Sequence, residues 1–406
     1  MTNEEQKYIR KRILEGRLKS IPFYLNRIFP IKKKKIVFCC IEGTTGYTCN
    51  PKYIAEELIN SKEEFELVWL VNDTSKEFPK EIRVVKNTLW NRAYELSTAK
   101  FWIDNSRKQL EVRKRKGQIY IQTWHAKLGF KPTCLDRGAS FSKIAYLVSK
   151  HDSDMIDYWL SNSEWYDKTL PTGSLYTGKI LRTGSPRCDI LVKAKNEKEI
   201  KNKMKEDICK KYQIQSGKSD TIYFLMYAPT FRGGSQQIDR KIECGSHTPD
   251  YQLLKQALEK RFGGRWYILL RLHPQLVARN MDAVDKDASI IDISRVDDMY
   301  EILAGCDAFI TDYSSAAFDA AVMGMPVWLY ADDYHEYEGE RGKLLWDLRK
   351  LPFFLAENDE ELVQQIFLYN EKEVNKKIME LFEKTQMIED GEASKKMIEI
   401  IRNLGE

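Results

Sequence analysis

The stretch Gln118-Ile119-Tyr120-Ile121-Gln122-Thr123-Trp124-His125 is an apolar run that ends in polar residues, and this pattern is typical of a buried parallel strand. A second stretch, Tyr267-Ile268-Leu269-Leu270-Arg271-Leu272-His273-Pro274, has the same design. Open α/β sheets bind ligands at the carboxyl edge of their strands, where loops and helix N-termini meet. Each stretch therefore predicts a histidine at a ligand-binding edge.

Further apolar runs alternate with helical patterns along the chain, which indicates parallel sheets covered on both faces. In the first half we predict strands at 36–40, 65–71, 82–85, 101–104, 119–123 and 159–161, and a helix over about 51–61. In the second half we predict strands at 222–226, 266–271, 290–293, 308–311 and 327–330. The economical architecture is a pair of Rossmann-like domains that face one another across a cleft.

The length of 406 residues exceeds what one core usually supports, so two domains are expected. A charged segment at 193–220, short of large apolar residues, marks the passage between them. The predicted divisions are a basic amphipathic arm at 1–34, an N-terminal Rossmann-like domain at 35–195, a C-terminal Rossmann-like domain at 205–360, and C-terminal helices at 361–406. For these last helices, one alternative is that they cross back and pack on the first domain.

The formal net charge is only +5, but basic residues are concentrated in the arm and are interleaved there with apolar ones. Such an arm fits an anionic membrane surface, and it equally fits a solvated helix that packs one stripe on the domain. No apolar run is long enough to span a bilayer, and no secretory signal pattern is present. The eight cysteines form no CxxC pair, so we expect reduced thiols in a cytosolic protein rather than zinc ligands or disulfides.

Four predicted strand ends carry polar groups that suit a phosphorylated ligand, and they are listed here: Thr123-Trp124-His125, Tyr227-Ala228-Pro229-Thr230-Phe231-Arg232, Arg271-Leu272-His273-Pro274 and Thr311-Asp312-Tyr313-Ser314-Ser315. Ser314 and Ser315 precede a helix-forming run, where free amides bind phosphate. Each residue also has an ordinary interpretation: a serine N-cap, a surface arginine, or a structural histidine. The four ends together favour an enzyme that acts on a nucleotide diphosphate.

These motifs resemble those of the CDP-glycerol glycerophosphotransferases, which build teichoic acids and related capsular poly(alditol phosphates) in bacteria. The resemblance covers residues 35–360 in an ordered set that includes Ser161-Asn162-Ser163, Thr183-Gly184-Ser185-Pro186-Arg187-Cys188-Asp189, Phe318-Asp319, Pro326-Val327, Tyr330-Ala331-Asp332-Asp333-Tyr334 and Arg341-Gly342 beside the strand ends above. One departure is Ala126, where family members commonly have glycine. Alanine adopts positive φ less readily than glycine, so the acceptor loop and the polymer made are left open.

The resemblance implies an α/β, GT-B-like fold, a CDP-glycerol or related CDP-alditol donor, and a lipid-linked polymer acceptor at the cytoplasmic face of the membrane. It implies that His125 is the base and that His273, the second candidate catalytic residue, binds the donor phosphates. Candidates for the donor phosphates are Arg232, Thr230, Arg271, Ser314, Ser315 and Thr311. Candidates for ribose or cytosine are Asp312, Asp332, Glu336 and Glu338, and Trp124 and Lys127 are placed on the acceptor side.

In the predicted reaction an acceptor hydroxyl attacks the β-phosphorus and expels CMP. No metal-ligand spacing is convincing, so no metal site and no cofactor are predicted, and a loosely held Mg²⁺ stays undecided. The alternatives are a GT-B glycosyltransferase that uses a nucleotide sugar, and a non-catalytic module that binds a membrane or a phosphate polymer. Nucleic-acid binding lacks its motifs and is not expected. The motifs do not distinguish a glycerol from a ribitol donor, or primer addition from polymerisation. They also do not give the oligomeric state.

Overall fold

A computed structural model describes residues 2–215, 221–230, 248–272, 287–341 and 343–405. The chain divides into two compact units. The first unit consists of Met1–Lys127, Pro132–Asp189 and Thr385–Glu406, and the second of Leu128–Lys131 and Ile190–Lys384. Four residues shortly after His125, Leu128–Lys131, therefore belong to the second unit. After the rest of the second unit, the C-terminal residues of the chain belong to the first unit again.

The first unit contains a parallel sheet of seven strands in the order β3-β2-β1-β4-β5-β6-β7. Its strands are β1 (Lys32–Cys39), β2 (Glu66–Val71), β3 (Ile82–Lys86), β4 (Ala99–Asp104), β5 (Ile119–Gln122), β6 (Tyr158–Ser161) and β7 (Lys179–Arg182). Its helices are α1 (Asn3–Lys19), α2 (Ile21–Leu25), α3 (Cys49–Asn60), α4 (Leu89–Thr98), α5 (Lys143–Ser153), α6 (Glu164–Gly173) and the C-terminal α15 (Ala393–Gly405).

The strand order of this sheet reverses direction between β1 and β4, which makes a topological switch point. Cys39 at the end of β1 pairs with Asp104 at the end of β4, and Asp104 pairs with Gln122 at the end of β5. The loops that follow these three strands therefore meet at one place on the carboxyl edge. His125 lies in the third of these loops.

Apolar side chains cover both faces of this sheet. In β1, Ile36 and Phe38 join one buried cluster, while Val37 and Cys39 join the other. Helix α15 adds Met397, Ile398 and Ile401 to the first cluster. The C-terminal helix thus packs on the first unit, which was one of the two options left open by the sequence.

The predicted arm is mainly helical, but its last residues belong to the sheet. Helices α1 and α2 are followed by a 3₁₀ turn at Asn26–Ile28, and β1 already begins at Lys32. Lys35 is fully buried because its ammonium pairs with Glu95 at 2.5 Å. In the described part of the chain no helix is long and apolar enough to cross a membrane.

The second unit has a parallel sheet of six strands in the order β10-β9-β8-β11-β12-β13, with a switch point between β8 and β11. Its strands are β8 (Ile222–Tyr227), β9 (Arg265–Leu270), β10 (Ile290–Asp292), β11 (Ala308–Thr311), β12 (Val327–Tyr330) and β13 (Phe354–Ala356). Its helices in the described ranges are α7 (Asp189–Asn196), α8 (Lys198–Lys211), α9 (Tyr251–Phe262), α10 (Tyr300–Ala304), α11 (Ala316–Val322), α12 (Tyr334–Arg341), α13 (Asp359–Leu368) and α14 (Glu371–Thr385).

The predicted α/β fold with parallel sheets is confirmed, and all eleven predicted strands are present. Two edge strands were missed, β7 and β13, because an edge strand is short and half solvated and so lacks a continuous apolar run. The segment predicted as a passage, 193–220, holds helix α8 instead. Ile208 is the one residue buried on that helix and lies against Gly305, so a charged sequence here encodes a helix that packs through a single buried side chain.

Candidate active site

His125 stands at the carboxyl edge of the first unit with one ring nitrogen fixed. Its Nδ1 lies 2.8 Å from the main-chain carbonyl oxygen of Asn105. A carbonyl only accepts, so Nδ1 carries the proton and Nε2 keeps its lone pair. The residue keeps an exposed surface. This geometry makes His125 competent as a general base.

The pKa of His125 is lowered from its ordinary value. Close packing of protein around the ring desolvates the charged form, and the positive charges of Arg187 and Arg107 act in the same direction. The hydrogen bond to Asn105 opposes this shift without cancelling it. The imidazole is therefore neutral at pH 7, as a base must be before it accepts a proton.

Three side chains hold the backbone on either side of His125. Trp124 has a φ of +49°, which costs free energy for a non-glycine residue, and its N–H donates to Oε1 of Gln122 at 3.0 Å. The carbonyl of Trp124 accepts from Nδ2 of Asn50 at 2.8 Å. The carbonyl of His125 accepts from Nη1 of Arg187 at 2.6 Å. The strained loop is thus fixed from three directions.

A buried polar chain lies under this loop. Oδ1 of Asp152 accepts from the hydroxyl of Tyr120 at 3.1 Å, and Nε2 of Gln122 donates to the same hydroxyl at 2.9 Å. Burial raises the pKa of Asp152 to about 7. This chain orients the Gln122 amide so that its oxygen faces Trp124, and sequence inspection did not identify any of its members as site residues.

The two residues predicted on the acceptor side have different surroundings. The Trp124 ring lies beside the His125 ring, with 4.7 Å between their centroids. Lys127 is buried, and its ammonium donates to Oγ of Ser185 at 2.8 Å. This placement favours a structural role for Lys127 over direct contact with an acceptor.

Glu389 is a partly buried residue that the sequence did not point to. Its oxygens accept from the main-chain N–H of Ser185 at 3.0 Å and from Nδ2 of Asn162 at 2.9 Å. Burial raises its pKa to about 7, although the nearby Lys127 charge opposes the shift. Asn162 and Glu389 are separated by 227 positions, so no local pattern could have joined them.

In the second unit, two predicted ligands are occupied in holding a loop. Thr311 is fully buried and its hydroxyl donates to the carbonyl of Ala228 at 2.6 Å. Asp312 is also buried, and its carboxylate accepts from the N–H and the hydroxyl of Thr230 at 2.9 and 3.0 Å. These contacts tie the loop after β8 to the end of β11. They favour loop anchoring over ligand contact for Thr230, Thr311 and Asp312.

Arg271 was predicted to hold a donor phosphate, but its guanidinium faces main-chain carbonyls. Nη1 donates to Ile293 at 3.1 Å, to Ser294 at 2.9 Å and, over a short distance, to Val296. Burial lowers its pKa from the ordinary value. With Nη1 engaged in this way, Arg271 shapes the loop after β10, and this geometry does not favour the predicted contact.

Ser314 and Ser315 remain candidates for a phosphate. Both side chains are partly exposed at the start of α11. Oγ of Ser314 accepts only weakly from the N–H of Ala316, at 3.3 Å, and the hydroxyl of Ser315 makes no cap hydrogen bond. Both hydroxyls can therefore turn toward an anion.

The remaining predicted contacts lie near α12 or outside the described ranges. Asp332 is partly exposed and Glu336 is exposed, while the neighbouring Asp333 accepts from the hydroxyl of Tyr313 at 2.9 Å. The Tyr313 ring stacks on the Tyr337 ring at 3.8 Å. Arg232, His273 and the side chain of Glu338 lie outside the described residues. Among the residues that are described, no group of three or more His, Cys, Asp or Glu is placed to hold a metal ion.

Two doubly wound parallel sheets are the architecture of the GT-B-like class of α/β proteins. A solved structure titled as the wall teichoic acid polymerase TagF superposes with a TM-score of 0.78 and 25% identity, covering 98% of this chain and 96% of that one. A family model described as CDP-glycerol:poly(glycerophosphate) glycerophosphotransferase matches residues 21–403, and the chain belongs to this family of enzymes. The resemblance inferred from the motifs is confirmed.

Two relatives differ in how much of their own length the chain covers. It is 26% identical to a teichoic acid poly(glycerol phosphate) polymerase of Bacillus spizizenii, over 96% of this chain and 97% of the relative. It is also 26% identical to the polymerase of the same name from Bacillus subtilis, over 97% of this chain. The chain spans about half of that second relative, 52% of its length.

Proposed function

We propose that this protein transfers an alditol phosphate, with glycerol phosphate favoured, from a CDP-alditol to a hydroxyl of a membrane-linked acceptor or growing polymer, releasing CMP. The match to the glycerophosphotransferase family over residues 21–403 carries this proposal. The product would be a teichoic acid or a related capsular polymer. The names of the polymerase relatives support this product class.

The proposed base is Nε2 of His125. An acceptor hydroxyl hydrogen-bonds to this nitrogen and loses its proton to it while the oxygen attacks the β-phosphorus of the donor. The bond between the β-phosphorus and the bridging oxygen breaks, and that oxygen leaves on CMP. The support is the Nδ1–H bond to Asn105, which fixes the tautomer, and the lowered pKa, which keeps the ring neutral.

The donor phosphates are proposed to bind Ser314 and Ser315, with Arg232 and His273 as further predicted contacts. Phosphoryl transfer requires mainly positioning and charge stabilisation, so such contacts would carry much of the rate. The hydroxyls at the start of α11 support this proposal because neither is saturated by a strong hydrogen bond. The ribose and cytosine contacts proposed for Asp332, Glu336 and Glu338 rest on their position after β12.

We further propose that the chain binds the cytoplasmic face of the membrane through an apolar stripe on α1, α2 and the following turn. The stripe consists of Leu14, Leu18, Ile21, Leu25 and Ile28, all exposed, and Ile28 is 82% exposed. Their spacing of three or four places them on one side of the helical segment. Ile9, Gly16, Ser20 and Phe23 are buried on the opposite side, so the stripe is not needed for the core.

Basic residues flank the stripe, as an anionic lipid surface requires. Helical spacing places Lys7, Arg10, Lys11 and Arg17 on the same side as the apolar residues, and all four are exposed. Each cation near an anionic bilayer contributes about 1 kcal/mol, and the apolar side chains enter the interface. The protein would then meet its lipid-linked acceptor on the membrane surface, and not by diffusion through solution.

The function is tested by incubating the full chain with a lipid-linked glycerol-phosphate acceptor and one donor at a time: CDP-glycerol, CDP-ribitol or a nucleotide sugar. Acceptor-dependent CMP release from one CDP-alditol is the expected result and identifies the alditol. Release of a nucleoside diphosphate from a sugar donor would replace the proposal with a glycosyltransferase. Polymer binding without turnover of any donor would replace it with a binding module.

A further inference from the structure

Arg107 lies next to the His125 loop at the carboxyl edge of the first unit. It follows β4 by three residues, and its Cζ is 5.0 Å from the centroid of the Trp124 ring. The Arg107 guanidinium has weak hydrogen-bond partners. Its Nη2 donates to Sγ of Cys134 at 3.0 Å, and a thiol sulfur is a weak acceptor. Nη1 is buried and has no hydrogen-bond partner within the described residues.

The neighbouring arginines of this unit are occupied in a way that Arg107 is not. Arg92 pairs with Glu111 at 2.7 Å, and Arg187 donates to the carbonyl of His125 at 2.6 Å. No carboxylate of the described residues forms an ion pair with Arg107. The Asp152 carboxyl interacts with Arg107 through charge but forms no ion pair with it, so the buried Nη1 still lacks an acceptor, and a bound anion would supply one.

We propose that Arg107 binds the phosphate that precedes the terminal hydroxyl of the acceptor, forming a phosphate subsite beside the base. This proposal deepens the proposed function and rests on it. A terminal glycerol unit joins its free hydroxyl to its phosphate through three carbons. A cation and a base that both lie beside the Trp124 ring, at 5.0 and 4.7 Å from its centroid, suit that connection.

The chemistry of the ligand follows from the donor geometry. A guanidinium offers a planar fork that matches two oxygens of one phosphate, whereas an ammonium offers a point charge. A sugar hydroxyl would not neutralise the charge. The subsite would therefore select acceptors that already carry a phosphodiester, and it would discriminate against a bare lipid-linked sugar.

The test compares Arg107→Gln and Arg107→Lys with the matched control Arg402→Gln. Arg402 pairs with Glu63, which precedes β2 at the amino edge of the same sheet, so the control removes one positive charge far from His125. Calorimetric titration of the full chain with glycerophosphoglycerol measures binding without turnover. Steady-state assays then give the KM for a phosphodiester acceptor and the KM for CDP-glycerol separately.

Arg107→Gln is expected to weaken glycerophosphoglycerol binding and to raise the acceptor KM by at least about tenfold, the scale of a hydrogen bond to a charged group. Arg107→Lys should fall between, and Arg402→Gln should match the wild type. The KM for CDP-glycerol should change by less than about twofold, because Arg107 is assigned to the acceptor.

Equal binding of glycerophosphoglycerol by wild type and Arg107→Gln, or no binding by wild type, would overturn the subsite. A rise confined to the donor KM would assign Arg107 to the donor instead and overturn it as well. Failure of wild type to release CMP would refute the proposed function alone, because the calorimetric comparison does not depend on turnover. Loss of folding is detected by the Tm, and Arg107→Lys then serves as the variant that decides.

Discussion

The carboxyl edges of the two units use their polar residues differently. In the first unit, buried side chains such as Gln122, Asn50 and Arg187 hold the main chain, and the ring of His125 keeps one nitrogen available. In the second unit, residues that the sequence marked as ligands hold the main chain themselves. We infer that a polar residue at a strand end is a good candidate ligand only when its side-chain donors and acceptors are not already bonded to the main chain.

The variant His125→Ala tests whether the histidine at the edge of the first unit acts as a general base. We expect kcat for CMP release to fall by at least about 100-fold, because general-base catalysis typically supplies roughly 10²–10⁴-fold. The control is His151→Gln, since His151 in the same unit bonds the carbonyl of Val112 and glutamine can replace that donor. Activity of His125→Ala within about threefold of wild type would remove the base from the mechanism.

The apolar stripe on α1, α2 and the following turn is an exposed surface of the first unit. Replacing Leu18 and Ile28 with glutamate should lower partition onto vesicles that contain anionic lipid by at least roughly tenfold, because each buried Leu or Ile is worth about 1.5–3 kcal/mol. Met379→Glu is the control, because Met379 is 71% exposed in the second unit. Vesicle flotation measures the effect, and equal losses for both variants would refute a defined membrane-binding stripe.

Within the second unit, hydroxyls in two environments give a finer test. The double variant Ser314→Ala with Ser315→Ala should raise the KM for the CDP-alditol by about tenfold, the scale of a lost hydrogen bond to a charged group. Thr311→Val removes a buried hydroxyl that bonds Ala228. It should lower the free energy of unfolding by about 1 kcal/mol and leave that KM within about threefold. The opposite ranking in kinetic assays would reverse our assignment of these residues.

Asp152 provides a pH-dependent test of stability in the first unit. Its folded pKa of about 7 is above the ordinary value of 3.8, so its favourable contribution is complete below about pH 4 and is lost as the pH rises toward 7. Asp152→Asn should remove this loss, so the stability difference between variant and wild type should change by about 1–3 kcal/mol between pH 4 and pH 7. Glu389 titrates in both proteins and cancels. Parallel curves from denaturant titrations would show that Asp152 is not the group responsible.

The sequence predicted the interior strands well because each is an apolar run that ends in polar residues. It missed β7 and β13, where an edge position removes the need for apolar residues on every side. It singled out His125 as a candidate because the residue follows β5 by three positions. It did not reveal that Arg271 and Asp312 are engaged by the main chain, since hydrogen-bond saturation depends on loops distant in sequence. The contact of Glu389 with Asn162 was inaccessible for the same reason.

We propose that a base at the edge of the first unit drives transfer from a CDP-alditol with loss of CMP. The most direct measurement is acceptor-dependent nucleotide release from CDP-glycerol by wild type and His125→Ala in parallel, with CMP and CDP separated chromatographically. We expect CMP from wild type and at least about a 100-fold lower rate of CMP release from the variant. Release of CDP, or equal rates of CMP release from both proteins, would contradict it.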